Sequence, residues 1–179
     1  MVVFMLYMKA ELENIASISL RKDDDLCITV KNPLSDYEVR EKVIFNPSVL
    51  LEPEENSRSD PCHLLLRWEG NKKPCTLSVL SDQEIKTTLK KKSLQKEFQP
   101  ADYTESGMWQ PILCCVCRGL EPTAYYPGTT EFIIQSSGAA VTTFTDDIDL
   151  SDPDGWTDYD VNNDFPVTIS QIEFKWESV

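Results

Sequence analysis

Three groups of side chains in this sequence are of types that do chemistry. Cys27, Cys62 and Cys75 fall in the first half, where His63, the chain's one histidine, adjoins Cys62. Cys114, Cys115 and Cys117 crowd into four residues further on, and seven aspartates lie between Asp146 and Asp160. Thiolate and imidazole are soft or borderline donors suited to zinc or copper, whereas clustered carboxylates are hard donors suited to calcium.

None of the three groups matches a complete ligand set. Cys62 and His63 are neighbours on extended chain, so their side chains point to opposite faces and cannot both ligate without a bulge. Cys115 and Cys117, two apart, share one strand face with Cys114 on the other. Two thiols can take a soft ion such as Cu(I), but they make an incomplete zinc site, and small apolar core packing is the simpler reading. The aspartate run fails the EF-hand template, because Gly155 follows Asp152 at the fourth position rather than the sixth and no Glu closes the loop. It reads as an acidic surface turn, with Asp side chains accepting local backbone N–H groups and Trp156 and Tyr159 anchoring it on the core.

Catalytic constellations are absent from the sequence. There is no G-x-S-x-G, Walker loop, G-x-G-x-x-G or H-E-x-x-H. His63 sits among Leu64, Leu65 and Leu66 and reads as structural. Cys117 before Arg118 has the form of a thiol with a cation beside it, but no base partner is visible. Arg118 with Glu121 reads as a salt bridge closing the turn at Gly119. The expectation is a protein that is not an enzyme.

The elements that must position these residues are short β-type segments. They are expected at Val2–Leu6, Leu26–Val30, Lys42–Phe45, His63–Trp68, Thr76–Leu80, Ile112–Cys117, Glu131–Gln135, Val141–Phe144 and Thr168–Trp176. In the last, Ile172, Phe174 and Trp176 face one way while Glu173, Lys175 and Glu177 face the other, the period of a half-buried strand. One helix is expected where Ser81-Asp82-Gln83-Glu84 forms a capping box and Ile85 with Leu89 makes an i,i+4 pair. The fold class is therefore mainly β, a two-layer or intertwined β-sandwich with one short helix. Polar chain over 96–107 separates pseudo-repeat halves at 1–95 and 108–179 within one unit spanning 1–179. A faint echo, Leu12-Glu13-Asn14 against Leu120-Glu121-Pro122, raises an internal duplication without establishing it.

The 179 residues are 41% apolar and 26% charged, enough to bury a sizeable core. The apolar opening Met1–Met8 is too short to span a membrane and lacks the basic start and cleavage site of a signal peptide. Six cysteines then read as free thiols or metal ligands in a reducing compartment, cytosol or nucleus, rather than as a disulfide framework. Net charge is −13, and residues 121–179 hold one Lys against 12 Asp and Glu. That C-terminal third repels phosphate, which argues against a general nucleic-acid binder. The basic exception, Lys86, Lys90, Lys91, Lys92 and Lys96, has no interleaved aromatics and reads as a solvated face.

Two words are distinctive: Cys117-Arg118-Gly119-Leu120-Glu121-Pro122 and Trp156-Thr157-Asp158-Tyr159-Asp160. With Met8-Lys9-Ala10-Glu11-Leu12-Glu13-Asn14-Ile15 near the start, their order and spacing closely resemble the small eukaryotic CXXC-motif-containing zinc-binding proteins over nearly the whole chain. The resemblance implies an all-β, internally duplicated fold whose N-terminal half holds one structural zinc through two CxxC pairs. The first pair falls on Asn32-Pro33-Leu34-Ser35 and the second on Trp68-Glu69-Gly70-Asn71, so Asn32, Ser35, Trp68 and Asn71 stand where thiolates would be. No C-x-x-C lies near these positions, and an amide, a hydroxyl or an indole does not replace a thiolate on zinc. The expectation is a monomeric protein-interaction module that has lost the zinc, with no cofactor, no nucleic acid, no membrane and an unidentified protein partner met near Trp156 and Tyr159. The alternative is a zinc- or copper-binding protein that uses the remaining cysteines.

Overall fold

The structure is a computed structural model describing residues 1–52, 60–89 and 99–179. Twelve strands and one helix follow in order among them: β1 Val2–Glu13, β2 Ile15–Leu20, β3 Leu26–Lys31, β4 Val39–Phe45, β5 Leu64–Leu66, β6 Cys75–Val79, α1 Asp82–Thr88, β7 Gln110–Arg118, β8 Glu121–Tyr126, β9 Phe132–Ser136, β10 Thr143–Phe144, β11 Trp156–Asp160 and β12 Phe165–Ser178. They build one six-stranded sheet, β11-β12-β1-β7-β6-β5, and two three-stranded sheets, β10-β9-β2 and β4-β3-β8. Every strand pair is antiparallel. The mainly β, intertwined sandwich read from the sequence is the observed fold.

The strand orders carry a symmetry. Adding or subtracting six from each strand number turns the large sheet into its own reverse and exchanges the two small sheets. β1 and β7 lie side by side at the centre, and each leaves the large sheet through a left-handed residue, Asn14 at φ 57° and Gly119 at φ 72°. The strand that follows joins the other half's small sheet, β2 beside β9 and β8 beside β3. Asn tolerates that backbone region, and glycine is needed at 119 twice over, since a Cβ there would sit 2.7 Å from Cys75 Sγ. The Leu-Glu echo does not mark this symmetry, because Leu12 and Glu13 precede their exit residue whereas Leu120 and Glu121 follow theirs.

β1 is apolar without alternation because both of its faces are covered. Phe4, Leu6 and Met8 face the main core with Ile28, Leu77, Leu113, Ile134 and Val167. Val3, Met5 and Tyr7 face a second cluster roofed by Leu80, Ile85 and Leu89. The roof is the expected helix: Ser81 Oγ accepts from Glu84 N at 3.4 Å and Glu84 Oε2 accepts from Ser81 N at 2.8 Å. Lys86 lies on it, and Lys90, Lys91, Lys92 and Lys96 lie outside the described residues.

Three strands escaped the sequence pattern, β2, β8 and β11, and β1 and β12 run well beyond their expected ends. The described part of the polar loop is pinned into the fold by Tyr103, a fully buried side chain. A bulge in β1 between Lys9 and Glu11 takes Ala10 out of the ladder, and Tyr103 replaces the lost partners. Its hydroxyl accepts from Ala10 N at 3.0 Å and faces the Ala10 and Met108 carbonyls, each at 2.9 Å.

Candidate functional site

The two turns to which the resemblance assigns zinc face one another. The turn after β3 closes with Ser35 N donating to Asn32 O at 3.2 Å, and the turn after β5 with Asn71 N donating to Trp68 O at 3.1 Å. Asn32 is buried, and its Oδ1 accepts from Leu34 N at 3.0 Å while its Nδ2 donates to Glu38. An Asx turn of this kind satisfies the backbone N–H two residues on without a metal-bound sulfur. Ser35 Oγ accepts from Tyr37 N at 3.4 Å, and Asn71 contributes its backbone N–H.

Trp68 opens the second turn and packs toward the β7–β8 corner and β4. It is 4% exposed, its Nε1 donates to Gly119 O at 2.7 Å, and the Arg40 guanidinium lies 5.5 Å from its ring centroid. Arg40 also donates to Arg67 O, which holds it across the gap between β4 and β5. The Cys117–Pro122 word thus acquires a structural role, since its Gly119 carbonyl receives the indole. Arg40 was not singled out by sequence, because only the strand register of β4 against β3 brings it over Trp68.

A depression of about 470 Å3 opens over this clasp, lined by Asn32, Leu34, Trp68, Lys72, Cys75 and Arg118 among others. Cys75 is the one thiol in it, buried, with burial pushing its thiol up. One thiol, the Asn32 and Asn71 amides and an indole N–H already donated do not fit a tetrahedral zinc. Among the described residues no group of three or more His, Cys, Asp or Glu is placed to hold a metal ion.

All six cysteines are free. Cys115 and Cys117 share the main-core face with their sulfurs 3.9 Å apart, and Cys114 faces the second cluster. Cys114 and Cys117 have C-x-x-C spacing, but on a strand that spacing aims the two thiols at opposite faces. Burial pushes the Cys114 thiol up to about 12, and burial followed by the Cys117 neighbour holds Cys115 well above its usual range. Cys62 is buried at an isolated bridge to Leu51, away from a shared face with His63.

Cys117 is 1% exposed, whereas Arg118 is exposed on the opposite face, so the guanidinium does not reach the thiol. Nor does Arg118 pair with Glu121. Arg118 lies 3.9 Å from Asp60, and Glu121 lies 3.0 Å from Lys31 across the β8–β3 ladder. The two residues flank a reversal of chain direction, which sends them to different neighbours. A groove of about 620 Å3 passes His63, but Val79 N donates to His63 Nδ1 at 2.9 Å and Ser81 Oγ is engaged with Glu84 at 2.7 Å. His63 is structural, and burial lowers its pKa.

The acidic segment is built from local turns. Asp149 accepts from Ser151 N and Oγ, and Asp152 from Asp154 N. Ile148, Leu150 and Trp156 anchor it in the core, Trp156 edge-on to Phe144 at 5.4 Å. Tyr159 is 48% exposed instead, its hydroxyl donating to Asp164. Thr157 and Asp158 are exposed with it, and Asp160 turns inward to full burial.

Two solved structures share this fold. One, described as a hypothetical protein from Plasmodium falciparum, superposes with a TM-score of 0.78 at 22% identity, covering 99% of this chain and all of the other. The other, the crystal structure of C1orf123, gives a TM-score of 0.76 at 19% identity, covering 99% of each chain. A search of curated protein sequences finds no match. The profile of the family described as "CXXC motif containing zinc binding protein, eukaryotic" matches residues 5–177. That match over nearly the whole length settles the relationship: the chain belongs to the eukaryotic CXXC-motif-containing zinc-binding protein family.

Proposed function

We propose that this chain is a non-enzymatic protein-interaction module of the cytosol or nucleus, built from two pseudo-repeat halves, in which side-chain packing has taken over from the family's structural zinc. The observation that carries the reading is Trp68, buried at the second turn with its indole N–H on Gly119 O. A structural zinc contributes folding energy directly, so a chain without thiolates at these positions must close the same turns by other contacts. Trp68, the Asn32 Asx turn and the Arg40 stack are those contacts. The burial of Cys62, Cys114, Cys115 and Cys117 speaks against a relocated metal site and against a thiolate nucleophile. No helix of the described residues is long and apolar enough to cross a membrane.

Elemental analysis of untagged protein purified without chelator tests this. The expected result is metal well below one equivalent and an unfolding midpoint unchanged by a chelator. About one zinc per chain with a midpoint that falls on chelation would overturn the reading. Copper bound to protein and lost on substituting Cys115 and Cys117 would instead support the metal-handling alternative, which the 3.9 Å sulfur pair keeps in view.

A further inference from the structure

The depression over Trp68 is electrostatically out of keeping with the rest of the molecule. On a chain of net charge −13, its walls hold Lys72, Lys73 and Arg118 and no Asp or Glu. Arg118 makes a 3.9 Å pair with Asp60, and with side-chain exposures of 54% and 85% that pair is worth little and yields easily to a better partner. Leu34, on the rim, is 90% exposed, and Tyr37, three residues along the same β3–β4 turn, is 94% exposed. Two large apolar side chains held almost wholly in water within one turn form an apolar prong beside a positive hollow.

We infer that this hollow and its Leu34–Tyr37 rim dock a short acidic segment of a partner protein, its carboxylates meeting Lys72, Lys73 and Arg118 and an apolar residue covering Leu34 and Tyr37. The inference rests on the interaction-module reading and names the surface where that interaction occurs, on the zinc-side turns rather than at Trp156, which is spent in the core. Charge complementarity selects the occupant. A second copy of this chain brings net repulsion. An extended nucleic acid brings many phosphates, which must run out of the hollow across a strongly acidic surface. A short peptide needs only the three cations and the apolar rim, and the cations supply steering toward it.

The test pans a phage-displayed library of random dodecapeptides on the full-length folded protein and measures a fluorescein-labelled copy of the most enriched sequence by anisotropy. Enriched sequences are expected to be net negative with at least one large apolar residue. Binding is expected to weaken by tenfold or more, on the order of the loss of two charge contacts, in K72E/K73E and to weaken again in Leu34→Ser, with unfolding midpoints unchanged. It is also expected to fall as salt rises through the range where exposed charges are screened. Enrichment of neutral or basic sequences, no enrichment at all, or tighter binding of a single-stranded oligonucleotide than of the peptide would overturn the surface. Binders indifferent to K72E/K73E and Leu34→Ser would overturn the surface and leave the interaction module standing. One zinc per chain in the same sample would remove the module reading itself, because the hollow would then be the wall of a metal site.

Discussion

The strand symmetry relates two places where a pair of turns is clasped together, and the two clasps are made of different chemistry. In the first half the turns after β3 and β5 line one hollow, and Trp68 ties the second of them to the Gly119 corner and, through Arg40, to β4. In the second half the turn after β9 meets the turn after β11, and the clasp is a buried carboxylate. Asp160 Oδ1 accepts from Thr142 Oγ1 at 2.7 Å, Asn162 N at 3.1 Å and Asn163 N at 3.2 Å, and its Oδ2 accepts from Asn163 Nδ2 at 2.6 Å. Asn163 then reaches the facing turn, accepting from Ala140 N at 3.2 Å and donating to Ala140 O at 2.6 Å. Gly138 makes room for it, since a Cβ there would fall 2.1 Å from Asn163 Cγ. The topology demands that each pair of turns be tied but leaves open what ties them. An indole, a carboxylate network or a metal ion meets the same need, and on the reading proposed above that freedom lets the fold close its first-half turns by packing.

The comparison is sharpened first by removing the apolar clasp. Trp68→Ala deletes a buried aromatic, strands the Gly119 carbonyl and frees Arg40, and a loss of about 3–5 kcal/mol is expected in denaturant unfolding. A loss near zero would mean that the first clasp is held elsewhere. Asn163→Ala severs the second clasp at its bridging residue while leaving Asp160 in place, and a smaller loss of about 0.5–1.5 kcal/mol is expected, from the lost hydrogen bonds to the exposed Ala140 backbone and to Asp160. Should the order of these two losses invert, the polar clasp would be the stronger of the pair.

Acid separates the clasps most gently. Burial works to raise the Asp160 carboxyl, but the bonds from Asn163, Ser136 and Thr142 prevail and hold it well below the ordinary 3.8. A carboxyl depressed in the folded state contributes stability that is present above its unfolded range and is lost as pH falls below it. The Trp68–Gly119 bond contains no titratable group. Amide exchange, corrected for intrinsic rates, is therefore expected to show Asn162 and Asn163 losing protection below about pH 4, before Leu34 and Asn71 do. His63 adds a milder slope with the same sign, because its lowered pKa removes stability as pH falls below about 6.5.

Much of this was legible wherever the cause is local. The capping box at Ser81, the shared face of Cys115 and Cys117 and the Asx turns of the aspartate run each depend on residues within a few positions. The missed strands fail for a common reason. In β11 the burial runs inward at Trp156, outward for three residues and inward again at Asp160, so no alternation is there to read, and its place at the sheet edge is set by β12. Tyr103 looked like part of a polar linker because the groups it satisfies, at Ala10, are 93 residues away. The Arg118–Glu121 pair was misread because spacing carries no information about a chain that reverses between two sheets.

The sequence by itself determined the strand-forming content, the helix start and the family, because these are written in residue types and short spacings. Only the tertiary structure decided that Arg40 and Gly119 complete the Trp68 clasp, that Asp160 and Asn163 tie its counterpart, and that Lys72, Lys73 and Arg118 surround a hollow without a carboxylate. Those outcomes depend on strands exchanged between the two halves, and contacts across so many residues are selected by the register of the folded sheets rather than by any local preference of the chain.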